Sequence, residues 1–247
     1  RYGLDAAILF CDILVVPDAL GWPVTFMEGV GPRLEPLRET AAIERLCLDQ
    51  FAERLAPVYE AIREVRRSLP GETALIGFAG APWTLAAYMI EGGGSGEFYA
   101  ARVLALRHPE AFAKLIDLLT EATARHLDAQ IAAGVDVVQL FDSWAGILSG
   151  PAFERWCVAP AARIVTRLKA AWPKVPVIAF PRGAGVRYRH FLRAVPVDGL
   201  SLDTTVPLAW AREALPGVCL QGNLDPAAVG ALVDYVKSVR LPARAEP

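Results

Sequence analysis

Short apolar runs alternate along this chain with longer amphipathic stretches. Ala6–Phe10, Ala74–Phe78, Val135–Phe141, Val175–Phe180, Gly199–Leu202 and Val218–Gly222 are apolar at nearly every position. Such runs mark strands buried on both faces of a parallel sheet. Between them, apolar residues return every three or four positions, as at Phe112, Leu115, Leu118 and Leu119. That spacing predicts helices over Ala41–Ser68, Pro82–Ile90, Pro109–Ala133, Phe153–Ala171 and Val206–Ala214. Strand and helix in regular alternation predict a parallel sheet joined by right-handed crossovers.

A doubly wound sheet and a (β/α)₈ barrel both satisfy that alternation. The barrel is favoured because the strands spread along the whole chain without a halfway switch. Polar and glycine-rich residues also recur just after strand ends: Asp12, Gly80–Trp83, Asp142–Gly146, Arg182–Gly185, Asp203 and Asn223–Asp225. In a barrel these positions converge on one face, where active sites are built. A doubly wound sheet gathers its chemistry near one switch point instead. No GxGxxG or Walker pattern follows a strand, and the glycine run Gly92–Gly96 follows a helix, so no phosphate loop is expected. The expectation is a single α/β barrel domain over residues 1–247.

Composition narrows the class. Of 247 residues, 54% are apolar and 21% charged, with a net charge of −2, which supplies a core and offers no nucleic-acid patch. Mean hydropathy is positive, yet Ala6–Val16 is broken by Asp12 and is too short to cross a bilayer. Cys11, Cys47, Cys157 and Cys219 are widely spaced and form no CxxC pair. They read as reduced, mostly buried thiols of a cytosolic protein. His108, His126 and His190 fall in helical or loop contexts without metal-ligand spacing, so no metal is expected; His126 reads as a helix-face residue.

Three strand ends carry candidate chemistry. Asp12 closes an apolar strand, where a carboxylate is poorly solvated and seeks positive or N–H partners; it is either functional, or a helix cap or loop salt bridge. Gly77–Thr84 is a strand followed by small residues and Pro82 at a helix start. Tyr88, one turn on, is a ligand contact or a half-buried core aromatic. Gln139–Gly146 brings Asp142 and Ser143 to the next strand end, and Ser143 either hydrogen-bonds a ligand or caps the following helix.

These segments resemble a known family. The runs Phe10–Pro17, Gly77–Leu85 through Tyr88–Gly94, Gln139–Gly146, Phe180–Gly185 and Gln221–Pro226 are similar, in order and spacing, to uroporphyrinogen decarboxylases. The resemblance implies a cytoplasmic homodimer on a (β/α)₈ barrel. It implies removal of CO₂ from the four acetate arms of the small molecule uroporphyrinogen, without metal or organic cofactor. It also implies an aspartate at Asp12 facing the four pyrrole N–H groups, with Tyr88 and Ser143 near the reacting acetate. The backbone around Phe141 belongs to the same wall. Arg182 is the strand-end cation suited to the substrate's carboxylates, unless it pairs with a loop carboxylate.

Two departures accompany the resemblance. The family's early Arg-Gln-Ala-Gly-Arg motif is expected before Arg1, and its late Gly-His-Gly segment is expected after Pro226. The chain instead passes from Asp225-Pro226 to an apolar stretch resembling the family's last helix. The first and eighth strands of the barrel are therefore expected to be missing. Two other readings stand beside the decarboxylase. One is a corrinoid-linked methyltransferase of related fold, against which the absence of a His-x-Cys counts. The other is a fragmentary barrel that binds tetrapyrrole without turnover.

Overall fold

The computed structural model describes residues 4–27, 29 and 31–238. The two ends of the expected 1–247 span, including Arg1, lie outside them. The chain opens with β1 (Ala6–Ile8) and α1 (Val15–Ala19), then a hairpin of β2 (Val24–Met27) and β3 (Gly31–Leu34). Helices α2 (Phe51–Arg54) and α3 (Ala56–Ser68) lead into β4 (Ala74–Gly80). Next come α4 (Pro82–Glu91), α5 (Tyr99–Arg107), α6 (Pro109–Ala133) and β5 (Val137–Asp142). The chain continues through α7 (Gly150–Phe153), α8 (Ala159–Ala171), β6 (Val177–Pro181) and α9 (Tyr188–Ala194). It closes with β7 (Gly199–Ser201), α10 (Leu208–Ala214), β8 (Cys219–Gln221) and α11 (Pro226–Ser238).

All six expected strands join one parallel sheet in the order β1-β4-β5-β6-β7-β8, an incomplete barrel with β1 and β8 at its edges. Side chains alternate across a strand, and here the two faces differ sharply. Leu75, Ala79, Val138, Leu140, Val177 and Leu200 are buried on the helix side. Phe78, Gln139, Phe141, Phe180 and Ser201 share the concave side, as their register shows: Phe78 opposite Gln139, and Phe141 opposite Phe180. Phenylalanine rings run across that face from strand to strand. Phe10 lies 6.2 Å from Phe78, Phe78 5.7 Å from Phe141, and Phe141 6.2 Å from Phe180. The long helix α6 is the core's main buttress, packing on α3, α4, α8 and β4.

Several elements differ from the sequence expectation. Ala41–Ser68 is not one helix. A 3₁₀ turn spans Thr40–Arg45, Gln50 takes a left-handed φ of 58°, and α2 and α3 follow separately. Cys47 donates its N–H to the Leu20 carbonyl at 3.2 Å, which pulls that stretch out of a helical path. Pro57, with no N–H, opens a new helix. The first strand stops at Ile8, because only Ala6–Ile8 find partners on β4. The last predicted helix starts at Leu208, after Pro207 as N-cap. The β2–β3 hairpin was not foreseen: Pro32 sits inside β3, which is tolerated only on an edge. Between α7 and α8 the helix widens into a π turn over Glu154–Val158. Pro160 follows, unable to donate to a carbonyl one turn back.

The cysteines are not mostly buried. Cys157 is buried, Cys11 is partly so, and Cys47 and Cys219 are exposed. Cys219 shares its face of β8 with Gln221, on the open concave side. His126 does lie on a helix, but on its inward face, where its Nδ1 and the Tyr59 hydroxyl are 3.1 Å apart.

Candidate active site

A cavity of about 650 Å³ opens at the C-terminal ends of β5 to β8. Its floor is polar although it lies inside the sheet. Gln139 Nε2 donates to Ser201 Oγ and to Gln221 Oε1, each at 2.9 Å, and Ser201 donates to Gln221 Oε1 as well. Phe141 and Phe180 form its walls. Ser143, Arg182, Asp203 and Asn223 stand around its rim. Among the described residues Arg182 makes no ion pair. Its exposed guanidinium borders both this cavity and a smaller one of about 340 Å³ next to Ser143.

The rim loops are locked to one another. Asp203 Oδ2 accepts from Gly183 N–H at 2.9 Å and the Tyr188 hydroxyl at 3.0 Å, and Oδ1 accepts from Thr205 N–H at 3.0 Å. Burial alone would raise the Asp203 carboxyl. The bonds from Thr205, Gly183 and Tyr188 outweigh it and hold the group below its ordinary value. Asn223 Nδ2 donates to the carbonyls of Asp203 at 2.8 Å and Val206 at 2.6 Å, tying the loop after β8 to the loop after β7. Arg187 donates to the carbonyls of Leu148 at 2.5 Å and Gly146 at 3.0 Å, and lies 4.3 Å over the Phe153 ring. Gly146 itself packs directly on Gly183. A Cβ on Gly146 would stand 2.8 Å from the Gly183 carbonyl oxygen, and Gly183 holds a φ of +74° that other residues resist.

Asp142 ends β5 but points to the helix side, not into the cavity. Thr84 Oγ1 donates to its Oδ1 at 2.6 Å, and Thr84 in turn accepts Trp144 N–H at 3.3 Å. Asp142 Oδ2 is buried, with no partner in hydrogen-bond geometry among the described residues. Burial lifts the Asp142 carboxyl to about 6, with Thr84 and the nearby Cys157 thiol pulling it back part of the way. Burial, and then the charge of Asp142, push the Cys157 thiol far up.

Of the site residues expected from the sequence, Phe141, Ser143 and Arg182 meet at the cavity, together with Asn223. Asp12 and Tyr88 lie outside its lining. Asp12 Oδ1 accepts Leu14 N–H at 2.8 Å, and its carbonyl accepts Val15 N–H at 3.2 Å, so it caps the turn into α1. Burial and the Asp12 charge raise the neighbouring Cys11 thiol to about 11. Tyr88, half-buried on α4, sets its ring edge against Phe98 at 5.7 Å, and Phe98 packs at a tilt against Trp144 at 4.6 Å. An aromatic chain thus joins Tyr88 to the Ser143 turn. The sequence reading passed over Thr84, Arg187 and the floor network. The floor had a visible signal, since Gln139 and Ser201 interrupt apolar strands; Arg187 had none.

An open parallel sheet with helices, whose strand-end loops border a cavity with polar rim and floor, belongs to the class of (β/α)₈ barrel proteins. Within that class the chain belongs to the uroporphyrinogen decarboxylase family, whose model matches residues 1–238. It is 51% identical over 227 residues to uroporphyrinogen decarboxylase of Rhodospirillum rubrum, covering 92% of this chain and 65% of that one. Against the Mesorhizobium japonicum enzyme of that name the identity is also 51%, over 226 residues, covering 92% and 66%. The chain therefore spans just under two thirds of the length of these curated relatives. Among solved structures it resembles a methyltransferase from Methanosarcina mazei, with a TM-score of 0.71 and 18% identity over 90% of this chain and 65% of that one. At that identity the likeness is one of fold.

Proposed function

We propose that this chain carries the cleft of a uroporphyrinogen decarboxylase, a carboxy-lyase that turns the four acetate arms of uroporphyrinogen into methyl groups. Each step breaks one C–C bond and releases CO₂. The electron pair passes into a protonated pyrrole ring, and a proton returns to the exocyclic carbon. The ring is its own electron sink, so the reading includes neither metal nor organic cofactor. The protein's part is electrostatic: a fixed charge complementary to the charge that develops lowers the barrier. In this reading Asp12 supplies the negative charge that faces the pyrrole N–H groups. Tyr88 and Ser143 contact the reacting arm, the backbone at Phe141 forms the wall beside it, and Arg182 binds a carboxylate. The enzyme is cytoplasmic and works as a homodimer.

The observation that carries this reading is the strand-end cavity. In a chain of this family it gathers Phe141, Ser143 and an arginine without an ion-pair partner among the described residues. The test is an anaerobic decarboxylation assay with chromatographic separation of products, run on the chain and on Asp12→Asn. Coproporphyrinogen formation that falls roughly 10²–10³-fold in the variant supports the reading. Undiminished turnover in Asp12→Asn, with circular dichroism unchanged, refutes the role of the charge. Porphyrin binding with no turnover in the unaltered chain would leave a binding barrel.

A further inference from the structure

Thr84 lies on α4 and Asp142 at the end of β5, yet their side chains meet in a fully buried contact. The donor order of that contact is fixed by chemistry. An ionised carboxylate can only accept, so the Thr84 hydroxyl donates to Asp142 Oδ1, 2.6 Å away, while Thr84 Oγ1 accepts Trp144 N–H at 3.3 Å. Trp83, beside Thr84, donates its indole N–H to the Trp144 carbonyl at 3.0 Å. Both polar groups of the Trp144 backbone are therefore held from α4, and Ser143 sits between Trp144 and Asp142. The same aspartate offers its carbonyl to Arg182 N–H at 3.1 Å. Asp142 and its partner on α4 thus reach both the Ser143 turn and the Arg182 backbone, although neither Asp142 nor Thr84 lines the cavity.

We infer that Asp142 and Thr84 act as one positioning pair, which sets the Ser143 turn through the Trp144 amide and so presents Ser143 and Arg182 to a carboxylate-bearing macrocycle. The ligand half of this inference rests on the proposed reading of the cleft; the positioning half does not. A buried carboxylate is a costly way to hold a turn that an apolar contact could also fill. Its place beside Ser143 in the chain, with its carbonyl accepting the Arg182 N–H, fits a geometric duty.

Thr84→Val removes the hydroxyl at nearly constant volume, and Thr84→Ser restores it. Two measurements are made on each. Amide hydrogen exchange at Trp144, relative to amides of β7, reads the positioning without any ligand. Fluorescence titration with uroporphyrin, the air-stable octacarboxylic porphyrin, reads the consequence for binding. Thr84→Val is expected to speed Trp144 exchange and to weaken porphyrin binding, each on the order of tenfold for a lost hydrogen bond to a charged group. Thr84→Ser is expected to return both toward the starting values. The double variant Thr84→Val/Asp142→Ala is expected to lose no more than the worse single variant, as for one unit. Unchanged Trp144 exchange in Thr84→Val, or additive losses in the double variant, overturns the pair. Faster exchange with unaltered porphyrin affinity overturns the link to the cleft. If the unaltered chain binds no porphyrin while Thr84→Val still frees Trp144, the reading of the cleft fails and the positioning stands.

Discussion

Asp142→Asn removes one buried negative charge and keeps an oxygen to accept from Thr84. Burial is the main reason the folded carboxyl stands at about 6 instead of 3.8. The folded state therefore binds this proton more tightly than the unfolded one does. Below pH 3.8 both states hold the neutral acid, and the residue makes no pH-dependent difference. Above about 6 both are ionised, and the folded state bears the cost of the buried charge. At about 1.4 kcal/mol for each unit of pKa, the interval comes to about 3 kcal/mol. Urea denaturation of both proteins between pH 4 and pH 8 measures it. The variant should gain on the wild type as pH rises through 4 to 6 and level off above, by about 3 kcal/mol in all. Any fixed offset from the amide is the same at every pH, and other titrating groups cancel in the difference. A flat difference across the range would refute the burial of a charged Asp142.

His126 gives a slope of the opposite sign. Burial lowers it from 6.5 to about 4, so its share of stability is present above pH 6.5 and lost as pH falls through 4; His126→Phe should flatten that part of the wild-type urea curve. Gly146→Ala drives a Cβ to 2.8 Å from a backbone oxygen that cannot swing aside, and should cost about 2 kcal/mol or more by urea midpoint. Gly150→Ala, with nothing within 4 Å, is the matching control and should cost nothing. Arg182→Ala should weaken uroporphyrin binding and reduce its salt dependence with the fold unchanged by circular dichroism; unchanged affinity at low salt would exclude a binding role.

The sheet was legible because its strands are buried by helices on one side and carry phenylalanines on the concave other, and so are apolar nearly throughout. Val135–Phe141 and Val175–Phe180 announce themselves this way, while their ends do not, since hydrogen-bonding partners and not composition decide where a strand stops. The break near Gln50 was hidden for the same reason, since Cys47 is held by the distant Leu20 carbonyl; the hairpin was hidden because Pro32 argues against a strand. Phe141, Ser143 and Arg182 could be found because strand ends in a barrel share one face. Thr84 meets Asp142 across 58 positions, and Arg187 meets Leu148 across 39, distances over which no local pattern survives. The exposed Cys219 misled for a related reason. Its type says interior, but it faces the open side of an edge strand.

The π turn at Glu154–Val158 carries one residue more than an α turn needs. Deleting any one of its residues would leave a continuous helix, yet would swing α7 about the axis of α8 by about 100°. Phe153 would then leave the guanidinium of Arg187, and Trp156 or Cys157 would quit Phe112 or the neighbourhood of Asp142. The surplus residue is thus a phase key. It lets one rod present two faces that a uniform helix cannot offer together, one to the rim arginine and one to the buried acid. A library of single-residue deletions across residues 145–171 should show it as a stretch intolerant of shortening, even though its local helical structure could be kept.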